Sequence, residues 1–155
     1  MAGVRDQLNR DITPEGGVVV GDDGSRSAAA AITYAVGEAA RRGCAVHVIR
    51  AWTFTSAIRP DDVPLGITPS MLELEEATLE AEKARVAGIV GDSAIEVHVH
   101  VACGPSAQAL IKAAETADVL VVGSRGRGGF KSLVLGSVAD QCIRHASGPV
   151  VVVRD

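Results

Sequence analysis

The residues best suited to chemistry in this chain lie in two glycine-bearing stretches. The longer reads Gly123-Ser124-Arg125-Gly126-Arg127-Gly128-Gly129-Phe130-Lys131-Ser132-Leu133-Val134-Leu135-Gly136-Ser137. Five glycines in fifteen residues let backbone amides turn inward and approach a ligand with no side chain between. Such a nest of amides beside a helix N-terminus suits the negative charge of phosphate. Arg125, Arg127 and Lys131 add cations to a chain with 15 Lys+Arg against 19 Asp+Glu and a net charge of -4. The competing reading is a surface loop whose glycines only serve turns. The shorter stretch is Gly21-Asp22-Asp23-Gly24-Ser25.

Two familiar phosphate motifs fail in the longer loop. A Walker loop needs glycine directly before its Lys-Ser pair, and Phe130 stands before Lys131-Ser132. A dinucleotide fingerprint starting at Gly126 needs glycine where Lys131 is. Phosphate binding fits these residues; Walker-type hydrolysis does not. Elsewhere, Glu96, His98 and His100 share one face of a strand at period two, a spacing that metal ligands use but that more often marks a wetter face. His47 and His145 have no companions in sequence. Ser25 has no base at a spacing that would activate it and reads as a helix cap. Arg41-Arg42 reads as dipole compensation, and Trp52 as a core or rim residue.

The elements that must position these groups alternate along the chain. Val18–Val20 is an apolar run closed by the shorter loop, and Ser25 to Arg42 is an Ala-rich helix stopped by Gly43. Ala45 to Trp52 is a second strand, followed by a loop from Thr53 to Pro69 with three prolines. Ser70-Met71-Leu72-Glu73 is a capping box opening a helix to about Val90. Ile95 to Val101 alternates as a strand, and Gly104-Pro105 opens a third helix with proline at its first position. Val119 to Val122, a helix from about Leu133 to Ala146, and Val150–Val153 complete the series. The order β-α-β-α-β-α-β-α-β predicts an α/β fold, an open doubly wound parallel sheet covered by helices on both faces. Ligands on such sheets bind beyond the carboxyl ends of the strands, where both glycine-bearing loops fall.

Length and composition bound the rest. The chain's 155 residues fit one domain, expected over residues 16–155 after a flexible polar extension over residues 1–15. With 47% hydrophobic and 22% charged residues it is globular rather than disordered. Mild acidity argues against nucleic acid, and 3% aromatics leave little to sandwich a flavin. No apolar run reaches the roughly 20 residues of a membrane span, and the first residues lack a signal peptide's apolar core. Cys44, Cys103 and Cys142 are odd in number with no C-x-x-C spacing, as in a reducing compartment; a cytoplasmic protein is expected.

Gly123-x2-Gly126-x9-Gly136-Ser137 resembles the G-2x-G-9x-G-(S/T) motif of the ATP-binding universal stress proteins. The resemblance runs from Val18 to Val153. Asp23-Gly24-Ser25 looks like the family's Asp-Gly-Ser turn, Gly104-Pro105 like its third helix start, and Gly148–Val153 like its closing strand. It implies a five-stranded sheet of order 3-2-1-4-5, Rossmann-like and of the adenine nucleotide alpha hydrolase-like kind. It also implies an adenine nucleotide, ATP with or without Mg2+, as ligand. Gly123, Gly126, Gly136 and Ser137 fall on the phosphate-binding positions, with Arg125 and Val138 beside them. Asp23 falls on the acid that holds the ribose hydroxyls, and Val48 on the residue whose backbone reads adenine. A homodimer through the edge strand Val150–Val153 is expected as well. The paired Asp22-Asp23 departs from the family pattern: the second carboxylate could repel ATP or help hold a metal.

Three function classes follow. The leading one is a stress-response or regulatory module that binds nucleotide without turning it over. The second is a slow ATPase or nucleotidyl transferase on the same site. The third is an interaction protein that keeps the fold without nucleotide, against which the intact glycine motif speaks.

Overall fold

A computed structural model of the chain describes residues 7–127 and 134–155. Among them five strands and four helices alternate: β1 (Val18–Gly21), α1 (Arg26–Arg42), β2 (Val46–Trp52), α2 (Met71–Val90), β3 (Val97–Cys103), α3 (Ser106–Ala114), β4 (Val119–Gly123), α4 (Ser137–His145) and β5 (Val150–Val153). All pairings are parallel, and the sheet order is β3-β2-β1-β4-β5. The expected topology is observed. Strand order reverses between β1 and β4, so the switch point lies at their carboxyl ends.

The valine runs form strands because both faces of the sheet are covered, and side-chain parity divides them into two cores. Val18, Val20, Val46, Val48, Val119 and Val121 face α1 and α2, with Ile32, Ala35 and Val86. Val19, Ile49, Leu120 and Val122 face α3 and α4, with Leu110, Ala113 and Cys142. Ala-rich helices let α1 and α3 lie close to the sheet. A third cluster joins Trp52, Leu74 and Val101. Trp52 is a core residue, and its buried Nε1–H meets no acceptor among the described residues.

Local chemistry explains the helix ends. Ser25 caps α1, its hydroxyl accepting from Ala28 N–H at 3.1 Å, and Gly43 stops the helix in the left-handed region at φ 66°. Arg41 and Arg42 both pair with Glu38. The capping box of α2 is complete in both directions. Pro105 is the N-cap of α3 rather than its first helical residue, so α3 begins at Ser106. The helix expected from Leu133 starts at Ser137, and Leu133 itself lies outside the described residues.

Of the stretch read as a flexible extension, residues 1–6 lie outside the described residues. Residues 8–14 are docked: Leu8 packs near Trp52, Asn9 C=O accepts from Cys103 N–H at 2.7 Å, and Ile12 packs on the α3 and α4 side. Among the described residues no helix is long and apolar enough to cross a membrane.

Candidate functional site

A cavity of about 370 Å³ opens at the carboxyl ends of β1, β2 and β4, within the range of small-molecule sites. Its walls include Asp23, Gly123, Arg125, Gly126, Gly136, Ser137 and Val138, every candidate site residue except Val48. Ile49 and Ala51 supply its β2 wall instead. Val48 is fully buried on the opposite face, in the core under α1 and α2, with Val20 and Val99 beside it in the ladder. Lys131, Gly128 and Gly129 lie outside the described residues.

The two loops meet at Asp23. Its Oδ1 accepts the Ser25 N–H at 2.9 Å, and its Oδ2 accepts the Arg127 N–H at 3.1 Å. A Cβ placed on Gly126 would lie 3.0 Å from that Oδ2, so glycine lets the β4 loop close over the carboxylate. The described ends of this loop also meet each other, Gly136 N–H donating to Ser124 C=O at 2.7 Å. Gly123 has a different reason to be glycine. A Cβ there would lie 2.6 Å from Ser27 Oγ and 2.9 Å from the Ser27 carbonyl carbon, so it lets β4 and α1 approach.

Two helix ends border the cavity without side-chain caps. Gly136 is the N-cap of α4 and Pro105 that of α3, and neither can offer a side-chain acceptor. The first-turn residues Ser137, Val138 and Ala139 of α4 and Ser106 of α3 line the cavity. Orphan amides and the positive end of the helix dipole favour an anion there.

The adjacent carboxylates part company. Asp23 faces the cavity, whereas the Asp22 side chain is 0% exposed and paired with Arg85 of α2, Nε to Oδ2 at 2.7 Å and Nη2 to Oδ1 at 3.1 Å. Although Asp22 borders the cavity, its carboxylate is committed to Arg85 and to the Gly24 N–H at 2.9 Å. Sequence reasoning missed Arg85 and its neighbour Glu82, since nothing across the 63 positions that separate Asp22 from Arg85 marks them as partners.

His47, given no companions by sequence, has two in space. It stacks on His98 with ring centroids 4.9 Å apart, and its Nδ1 lies 3.0 Å from His100 Nε2. Glu96 holds the His98 Nε2 at 2.7 Å. Burial, with the neighbouring imidazoles, pushes His100 down to about 4. Among the described residues no group of three or more His, Cys, Asp or Glu is placed to hold a metal ion.

Known proteins share this fold. The family model described as the universal stress protein family matches residues 17–154. A universal stress protein of Mycobacterium tuberculosis is 38% identical over 146 residues, covering 91% of this chain and 44% of that protein. The chain thus spans less than half the length of that relative. Among solved structures, a universal stress protein of Lactobacillus plantarum matches with a TM-score of 0.68 at 21% identity, over 92% of this chain and 100% of the other. A universal stress protein of Archaeoglobus fulgidus in complex with dAMP matches with a TM-score of 0.57 at 25% identity, over 89% and 97%. With its sheet order, glycine loops and this match over nearly its whole length, the chain belongs to the universal stress protein family.

Proposed function

We propose that this chain is a stress-response module that binds an adenine nucleotide, with ATP as ligand, and works through its own state and partners rather than turnover. The observation that carries the reading is the cavity bordered by two uncapped helix N-termini and lined by the Asp23 carboxylate. In this reading the amides of Gly126, Ser137 and Val138 and the Arg125 side chain take the phosphates, while Gly136, its own N–H held by Ser124 C=O, lets the loop pass close to them. Asp23 takes the ribose hydroxyls, a carboxylate being a good acceptor for a diol. Ile49 and Ala51 form the adenine wall, and the Val48 backbone, next to Ile49 in β2, reads the base edge. The dAMP complex of the Archaeoglobus relative supports an adenine nucleotide as the ligand class. Mg2+, where it accompanies the triphosphate, would be held mainly by phosphate oxygens and water, with Asp23 the carboxylate facing it.

The described lining residues include no His, Cys or Lys to activate water. Tight binding of ground-state phosphate does not by itself speed chemistry. Denaturing the purified protein and weighing the released small molecule should find an adenine nucleotide. Turnover should fall far below the enzyme median of about 10 per second. A turnover near that median would favour the enzyme reading and point first to Asp23.

The same proposal includes a cytoplasmic homodimer through β5. Its four valines are all half-buried on an edge of the sheet, a position that invites pairing. A second copy across a two-fold axis would cover both edges. Sedimentation at tens of micromolar should show a dimer that Val151→Pro weakens; a monomer, or an unaffected dimer, would remove this element.

A further inference from the structure

The turn that presents Asp23 is built from below by α2. Arg85 forks between the Asp22 carboxylate and the Ser25 C=O, the latter at 3.0 Å. Asp22 Oδ1 in turn holds the Gly24 N–H at 2.9 Å, and Gly24 sits at φ +85° with Arg50 Nη1 3.0 Å from where a Cβ would lie. One helical turn along α2 from Arg85 is Glu82, which is 3% exposed. Its Oε2 reaches Arg50 Nη1 only at 3.5 Å, and its buried Oε1 meets no N–H donor among the described residues. Arg85 spends its bonds on Asp22 and Ser25. Glu82 thus keeps one buried oxygen without a donor beside the Asp22 carboxylate, and a proton on Glu82 donated to Asp22 is the partner that completes the set.

We propose that Glu82 and Arg85 are positioning residues for the nucleotide turn, with Glu82 carrying a proton that it donates to Asp22 and thereby makes the fit of nucleotide to this turn depend on pH. The inference rests on the nucleotide reading above for its ligand, but its proton and its turn are properties of the empty protein. The charged groups facing Glu82 are Asp22 from the β1 turn, Arg50 from β2 and Arg85 from α2 itself. Asp23 acts on the set through Arg85. Burial, the hydrogen bond to Asp22 and its negative charge push Glu82 up to about 8, against Arg50 and Arg85. Burial pushes Asp22 upward too, but hydrogen bonds from Glu82, Arg85 and Gly24 outweigh it and hold Asp22 below its ordinary value. Loss of the Glu82 proton turns a hydrogen bond into a repulsion between two carboxylates directly beneath Gly24. The turn carrying Asp23 then shifts.

The test begins on the empty protein by NMR. The Glu82 carboxyl carbon and the amides of Gly24 and Ser25 should titrate together with a midpoint near pH 8. Glu82→Gln, whose amide donates the same hydrogen bond at every pH, should abolish the amide titration. A Glu82 carboxyl titrating in the ordinary glutamate range, or amides that ignore it, would overturn the proposal. In the second arm, ATP binding to the wild type should weaken about tenfold from pH 7 to pH 9, because a protonated state with a midpoint near 8 is about one-tenth populated there. Glu82→Gln carries the same titration of ATP itself and should change less than about twofold, the difference being the Glu82 share. Equal weakening in both proteins would overturn the coupling. A wild type that binds no ATP at either pH would instead contradict the nucleotide reading, and the amide titration alone would then decide the positioning role.

Discussion

The two faces of the sheet end differently at its carboxyl edge. On one, α1 and α2 begin under serine caps, and the charges beneath them are locked in the Asp22–Arg85 pair. On the other, α3 and α4 begin at proline and glycine, with no side chain closing their amides, and a cavity lies between them. Identical backbone architecture gives a sealed face and an open one, according to which residue stands one place before each helix. The sealed face holds the turn still. The open face leaves donors for an anion, so substitutions on the first should act on stability and substitutions on the second on ligand binding.

The largest expected effect belongs to the sealed face. Arg85→Ala strands the Asp22 carboxylate, which is 0% exposed. Breaking a buried pair costs about 3–5 kcal/mol, and the low end applies since the Arg85 side chain is 29% exposed. The melting temperature of the empty protein should fall by about 6–12 °C. A fall of a degree or two would show that the clamp does not hold the turn.

Gly123→Ala comes next. Its Cβ would press on the Ser27 backbone, and overpacking of that kind costs about 1–3 kcal/mol. At the middle of that range, about 2 kcal/mol, calorimetry should register a loss of about 4–8 °C without ligand. An unchanged melting temperature would return Gly123 to a role in ligand approach alone.

The smallest effect concerns the histidines on the outer strip of the open face. His100 is neutral in the fold down to about pH 4, whereas the unfolded chain takes up that proton near 6.5. Its contribution to stability is therefore lost as pH falls from about 6.5 toward 4. Between pH 7 and pH 5 the full shift is worth about 2 kcal/mol, and solvent screening of the partly exposed imidazole about halves it, so His100→Gln should lose less stability than the wild type by about 1 kcal/mol, or about 2–4 °C. Identical acid slopes would mean that the imidazole cluster takes up protons as freely in the fold as out of it.

Much of the fold was legible because it rests on local patterns. Valine runs bounded by glycines marked the strands, and Ser25, Gly43 and the Ser70–Glu73 box marked helix ends that the structure reproduces. The cavity residues of the β4 loop were legible from the spacing of Gly123, Gly126, Gly136 and Ser137. Val48 was named for its backbone, and which side chain of β2 meets the cavity was not legible. In a strand covered on both faces Val48 and Ile49 are equally apolar, so no alternation tells which one meets the cavity. The buried polar face of α2, with Glu75, Thr78 and Glu82, was hidden too. Its partners at Asn9, Ile58 and Asp22 lie 66, 20 and about 60 residues away, and no helical period announces them. Similarly, His47 gained its meaning only when β2 and β3 were laid in register.

The central claim is that the open face binds ATP where Gly126 closes over Asp23. Thermal unfolding of the wild type and of Gly126→Val, each with and without ATP, tests it most directly. At 100 times its dissociation constant ATP stabilises the native state by about 2.7 kcal/mol, raising the wild-type melting temperature by about 5–10 °C. The valine side chain would displace the carboxylate 3.0 Å away while leaving the core untouched. The empty variant should melt within about 3 °C of the empty wild type and show almost no ATP shift. A full ATP shift in the variant, or none in the wild type, would contradict the account.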